Sequence, residues 1–357
     1  MAGDLGRTAV SVVSALGRNA QAWDRLVDRM ALPSPFLRSW WLANAAGGEP
    51  YILLVVEGDR LIGGLALERD RHLGVERLRT LGSGVLCPDH LDAVAAPGRE
   101  RLVVRALRSW LSRAGDVLLD LDGVVEDPLL WRALPGRVRR DLGAVAPFMR
   151  LGIDVAQQGS RSVRRRAARA ERRLVKESGG CVVAPVDDTD EALRLLQRLH
   201  TQRWGGASGF LDGFTRFAAL CHAAAAQGEL AVSALRAGDE AVAVMAAFEV
   251  AGRISNYQSG RETDHRWRGV GTLLLARVID DAGRRGISEV DLLRGDEAYK
   301  SDFATGRRGL WRLRCATGPR SAIALAIDLG IERARGAAGR ARWAMHERKS
   351  GRPVPPA

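Results

Sequence analysis

The stretch "RWRGVG", residues 266–271, sets two arginines and two glycines directly before a helical pattern. A helix start exposes N–H groups without acceptors and a partial positive charge, and together these bind anions. Gly269 and Gly271 let the backbone approach a diphosphate closely and adopt positive φ values. Arg266 and Arg268 can add charge-assisted hydrogen bonds to phosphate oxygens, and Val270 and Thr272 supply further N–H groups at the helix start. The competing reading is a helix that merely follows a flexible turn, and the motif alone leaves both open.

A second cluster lies about thirty residues on, where Asp291, Arg294, Asp296, Glu297 and Lys300 crowd the end of the apolar run "VDLL". Charges that dense beside a strand form either a solvated cap or a polar floor to a site. Asp296 could simply cap the short helix that follows. Lys300 stands out because only three of the 54 basic residues are lysines; it can hold a carboxylate or phosphate, or stay solvated. His200, Arg203 and Trp204 close a helix before the glycine-rich residues 205–209 and could meet a substrate, though basic residues at helix ends are ordinary. Glu249 ends a strand and could act as a base or be a surface carboxylate. No His/Cys/Asp set has metal-ligand spacing, so no metal is expected, and no nucleophile elbow occurs.

These groups need a scaffold. Residues 230–260 read as three consecutive antiparallel strands with turns at Gly238-Asp239 and Ala251-Gly252. The helix begun at the glycine loop ends at Gly286 and leads to the strand "ISEVDLLRG", the short helix "DEAYKSDFA" and the strand "GLWRLRCAT". The first half alternates in the same way. Helices at 19–32 and 34–45 precede a hairpin at 51–70, a strand at 75–82, a helix at 100–115 and the buried run "VLLDLDGV". The layout predicts an α+β fold of tandem domains, each a mostly antiparallel sheet flanked by helices. The boundaries are set at 1–152, 153–318 and, for a basic helix with a loose tail, 319–357.

The net charge of +12 is local: residues 161–176 carry +7 and residues 306–357 carry +9, leaving the rest net acidic. In 161–176, Val163, Ala167, Ala170 and Leu174 form one narrow apolar seam on an arginine-rich helix. That helix is a solvated connector, a surface for tRNA with salt-sensitive affinity, or a contact for an anionic membrane. DNA is not expected, since no helix-turn-helix or finger accompanies the charge. Four scattered cysteines, no apolar span and no signal-peptide pattern point to the cytoplasm, with peripheral contact at the inner membrane as an option.

From about residue 153 to 318 the chain resembles the GNAT-fold acyltransferases, "RWRGVG" matching that superfamily's pyrophosphate loop. "LLRGDEAYKSDF" (292–303), the helix "RRRAARAERRLVKESGG" and "SPFLRSWWL" near the N-terminus are similar to the CelD-like, cellulose-biosynthesis-type branch. The Fem-type aminoacyltransferases, which take aminoacyl-tRNA, are more distantly similar. The resemblance implies an acetyl-CoA or longer acyl-CoA co-substrate, its pantetheine arm along "ISNYQSG", with backbone groups near Tyr257 and Gln258 polarising the thioester carbonyl. It implies Tyr299 as the acid that protonates the leaving thiolate, Glu249 as base and Asp291 at the catalytic floor. A small-molecule or peptide amine would then meet His200, Arg203, Trp204, Arg294, Asp296 and Lys300. The first half, lacking a glycine loop beyond "LGSGVLCPDH" (81–90), would be scaffold and acceptor-side wall. A tRNA-dependent transferase and a non-catalytic binding module are the alternatives.

Overall fold

The computed structural model describes residues 8–152, 161–205 and 209–350. The 152/153 boundary, most of the glycine-rich 205–209 segment and the tail from 351 fall on or beside residues outside that set. The first half runs β1 (Thr8–Val13), α1 (Ala20–Val27), α2 (Ser39–Asn44), β2 (Glu49–Glu57), β3 (Arg60–His72), β4 (Val75–Thr80), β5 (Val94–Ala95), α3 (Glu100–Leu111), β6 (Val117–Val124), α4 (Leu129–Ala133) and β7 (Arg139–Arg150). After the linking helix α5 (Arg161–Ser178), the order repeats as β8 (Cys181–Pro185), α6 (Thr189–Trp204), α7 (Phe214–Ala225), β9 (Leu230–Ala237), β10 (Glu240–Val250), β11 (Arg253–Arg261), α8 (Val270–Arg284), β12 (Glu289–Asp291), α9 (Ala298–Phe303) and β13 (Gly306–Ala316). Helix α10 (Pro319–Ser350) follows.

Apart from the short β5, each half is thus a strand, two helices, a three-strand meander, a helix, a strand, a short helix and a last strand. Both belong to one mixed sheet, ordered β1-β2-β3-β4-β6-β13-β7-β12-β11-β10-β9-β8 with β5 on β3. The last strands are exchanged: β13 lies beside β6 of the first half, and β7 lies beside β12 of the second. Its pairs are antiparallel except β4–β6 and β11–β12, which occupy corresponding places in the two halves. This is the α+β, two-copy plan expected from the sequence.

Three features depart from the sequence reading. Strand β1 pairs with β2 in a segment given no element, "ISEVDLLRG" contributes only three strand residues, and β7 begins at Arg139 within a stretch read as a connection. The halves share an aromatic core. Phe36 and Trp41 from around α2 meet Phe248 and Tyr257 of the second half, with ring centroids 4.7–6.5 Å apart along the chain of contacts. Arg38 and Trp40 both donate to Glu229 across the same junction, at 2.9 and 2.6 Å. Helix α5 lays its seam on the second half's core: Val163, Ala167, Ala170 and Leu174 are all buried.

The first-half sheet depends on two glycines in β3. A Cβ at Gly64 would lie 2.2 Å from the Leu53 carbonyl oxygen and 2.6 Å from the Trp23 ring. Neither the ladder nor the fully buried Trp23 can retreat, so Gly64→Ala is expected to destabilise the protein by about 3 kcal/mol. A lowered urea midpoint at unchanged slope would register this.

Candidate functional site

Strands β11 and β12 pair from Arg253↔Glu289 to Ser255↔Asp291 and then part. Just there β11 is bulged: Ala247 faces Asn256 and Ala246 faces Gln258, leaving Tyr257 as the extra residue. A bulge bends its strand and ends regular pairing, so the parting opens a cleft. On one side the chain leaves β11 and turns into α8 through Gly269, which has φ +89° and no side-chain cap. A Cβ there would lie 3.2 Å from that of Ala170 on α5, and one at Gly271 3.3 Å from Arg261 Cδ. The cleft, about 510 Å³, is lined by Arg203, Asn256, Arg268, Gly271, Thr272 and Tyr299 among others. Its polar end is therefore a bare helix N-terminus reached through glycines, the arrangement the sequence had suggested for a diphosphate.

A second cavity of about 240 Å³ shares Arg203, Asn256, Ser259 and Tyr299 with the first. Leu86, Cys87 and Asp89 of the first half wall one side, and Trp204, Glu297 and Lys300 the other. Tyr299 is half-buried at the junction, and burial raises its phenol above the usual range, which keeps it protonated at neutral pH. Asn256 Oδ1 is buried there without a hydrogen-bond partner among the described residues. Such an acceptor normally finds a donor, so this one is available to a ligand N–H. The sequence reading passed over Asn256; the signal was its place on the strand flanking the bulge.

The structure sorts the sequence candidates. Arg203 and Tyr299 line both cavities; Arg268, Gly269, Gly271 and Thr272 line the cleft; Trp204, Arg294 and Lys300 line the second cavity. Tyr257 and Gln258, expected along the donor, line the second cavity instead. The Tyr257 phenol donates to the Leu86 carbonyl and its ring stacks on Phe217 at 5.6 Å, so it joins the halves. Val270 is buried in the core, and Arg266 points out of the cleft over Trp267. His200 is buried beneath β11, against Phe210 at 4.7 Å, and supports the Ser259 backbone rather than the cavity. Arg294 donates to Asp89 and Asp122, and Lys300 Nζ lies 2.6 Å from the Arg294 carbonyl oxygen and 3.0 Å from Glu297. Asp296 is exposed and does not cap α9, whose N-cap is Glu297.

Two expected catalytic carboxylates are placed elsewhere. Glu249 sits near the far end of β10, paired with Arg285 and outside both cavities. Asp291 is fully buried, 2.9 Å from His90 Nε2 and 3.1 Å from Arg253, with Arg308 and Glu289 completing the cluster. Burial acts to raise its pKa, but His90, Arg253 and the Leu293 N–H outweigh that and bring it to about 2 from 3.8. A depressed carboxyl stabilises the fold above its unfolded value and loses that contribution as pH falls through its folded value. Asp291→Asn is accordingly expected to cost about 3 kcal/mol at pH 7. The gap from wild type should narrow between pH 4 and about 2, as pH-dependent denaturant melts would show.

Residues 161–301 match the family described as acetyltransferase (GNAT) domain. No curated protein sequence matches the chain significantly. Among solved structures, the chain is similar to a C-terminal DUF2156 domain from Agrobacterium fabrum assigned to a lysylphosphatidylglycerol synthetase, with TM-score 0.59, 13% identity, and coverage of 88% of this chain and 95% of that one. It is similar to FemX with TM-score 0.60 and 10% identity, covering 85% and 96%, and to L-PGS from Bacillus licheniformis with TM-score 0.51 and 11% identity, covering 80% and 89%. At such identities the likeness is one of fold. No helix among the described residues is long and apolar enough to cross a membrane. The chain thus carries a GNAT-fold acetyltransferase domain at residues 161–301, set in a sheet that repeats the same plan in its first half.

Proposed function

We propose that the protein is an N-acyltransferase that moves an acyl group from an acyl-CoA thioester to an amine by direct attack. The observation that carries this is the junction of the two cavities. A glycine-capped anion cradle opens into a polar pocket, and Tyr299 stands in both. The donor's diphosphate would lie at Gly269–Thr272 beside Arg268, and its pantetheine amides along β11 where that strand has lost its neighbour. The amine would enter past Trp204 and Arg203. Its nitrogen forms the new bond to the acyl carbon as the C–S bond breaks; Tyr299 gives its proton to the sulfur. Glu297, which lines the acceptor pocket, would take the proton the nitrogen loses, the role first read into Glu249. The resemblance of residues 292–303 to the CelD-like branch supports this reading, since that segment supplies Glu297, Tyr299 and Lys300.

One observation favours a second donor. Helix α5 packs beside the cradle, where Arg173 donates to the Arg268 carbonyl, so the arginine-rich face of residues 161–176 flanks the donor entrance. A polyanionic carrier such as tRNA would meet that face. Calorimetric titration with acetyl-CoA and decanoyl-CoA, followed by thiol-release assays with primary amines, separates the two. Micromolar binding and amine-dependent thiol release are expected. No binding of either thioester would overturn the acyl-CoA reading and point to charged tRNA.

A further inference from the structure

The two-copy plan has a consequence in the first half. The donor cleft lies among three places in the second copy: the end of α6, the segment between β11 and α8, and the segment after β12. The matching places in the first copy are the end of α1, the segment between β4 and α3, and the segment after β6. A cavity of about 670 Å³ is found among these three, lined by Arg29–Leu32, by residues of 90–100 and by Val125–Leu129. Its size is within the range of small-molecule sites, roughly 300–1,000 Å³. Gly98, at φ +78°, precedes α3 here too, but its N–H donates to the Glu100 carboxylate at 3.0 Å, so an anion of the chain already stands at that helix start. A diphosphate is therefore the wrong ligand.

The walls describe another. Met30, Leu32, Ala93, Ala95 and Pro97 are apolar, while Glu100, Glu126 and Asp127 at the lining make no ion pair among the described residues. Arg308 also reaches the lining, but it is committed to Glu289 and Asp291, leaving Arg29 as the cation facing those three carboxylates. His90, 1% exposed, sets Nε2 2.9 Å from Asp291, and both of its ring nitrogens are buried without a well-formed hydrogen bond among the described residues. The adjoining cluster is balanced by two guanidinium groups and two carboxylates, Arg253 and Arg308 with Glu289 and Asp291. A buried ring nitrogen without a partner is a group that a polar ligand atom would satisfy.

We propose that this cavity is a second ligand site, distinct from the acyl-transfer site, that takes a small organic ammonium compound with an apolar body. The ammonium compound would be held by the unpaired carboxylates beside His90, and its body would cover the Met30, Leu32 and Ala93 wall. The site goes beyond the proposed reaction and does not depend on it. The segment that forms its back also forms the acceptor pocket, since Leu86, Cys87 and Asp89 face one way and His90 and Asp92 the other.

Calorimetric titration of the full chain with 2-phenylethylamine and n-hexylamine, against phenylacetate and hexanoate, tests this. Saturable binding of the amines and not the acids is expected. It should weaken at least about tenfold, or 1.4 kcal/mol, in Ala31→Trp, which fills the cavity from an exposed wall position. It should weaken likewise in the double variant Glu126→Gln/Asp127→Asn, which changes exposed side chains only and serves if the tryptophan variant does not fold. Trp204→Ala, in the acceptor pocket, should leave this binding unchanged. Absence of saturable amine binding, preference for the carboxylates, or amine binding that responds to Trp204→Ala and not to the other variants would each overturn the proposal.

Discussion

Gly269→Asp is expected to weaken acyl-CoA binding at least about 100-fold, or 2.7 kcal/mol, while the protein stays folded. Three effects act together. The residue occupies the left-handed region at φ +89°, where a side chain costs roughly 1–2 kcal/mol. Its Cβ must sit 3.2 Å from that of Ala170, so α5 has to yield by a few tenths of an ångström. Most of the loss, though, is electrostatic: a carboxylate takes the place reserved for phosphate at a helix N-terminus, and two anions compete for the same N–H groups. Gly269→Asn isolates that last effect, because it has the same shape, tolerates positive φ and carries no charge. Its binding should fall only about tenfold. Calorimetry on both variants, with thermal melts to confirm folding, checks the expectation. Equal losses in the two would mean that the loop is a tight turn and not an anion cradle.

How far this could be read from the sequence depended on whether an element is specified locally. The meander 230–260 was legible because its strand runs are separated by turns that each carry a glycine; β9, β10 and β11 begin and end close to where those signals place them. The seam Val163, Ala167, Ala170 and Leu174 was legible because helical spacing alone selects one face, and all four are buried. Strand β7 was hidden by Gly143 and by Pro147, a residue that lacks the N–H a central strand uses. The ladder tolerates it because Pro147 still accepts from Leu292. The exchange of β7 and β13 is a long-range pairing with no local signature. The same limit explains the site. The glycine loop is a contiguous motif and lies at a helix start as its sequence suggests, whereas Glu249 and Asp291 were judged without their partners. Arg285 is 36 residues from Glu249, and His90 is contributed by the other half of the chain. Asn256 was missed because only the bulge at Tyr257 brings it to the junction.

Tyr299→Phe is the sharper test of chemistry, since it deletes one oxygen and leaves the ring that packs at the junction. Proton transfer by a placed side chain contributes on the order of 100- to 10,000-fold, so kcat is expected to drop at least about 100-fold with acyl-CoA affinity nearly unchanged. A loss caused by misplacement would instead raise Kd and KM together. The pH profile adds a signature that mere packing cannot produce. The group works as an acid, so its contribution is present while the phenol is protonated and disappears as pH rises through its pKa. Because burial raises that pKa above the usual tyrosine value, wild-type activity should hold through moderately alkaline pH, and the Phe variant should lack the corresponding descending limb. The leaving group supplies the last discrimination. An aromatic thiol ester expels a stabilised thiolate that has little need of a proton, so the ratio of wild-type to Phe rates should shrink sharply with such a donor. A ratio that stays the same for aliphatic and aromatic thioesters would place Tyr299 among the packing residues and leave the thiolate to be protonated by water.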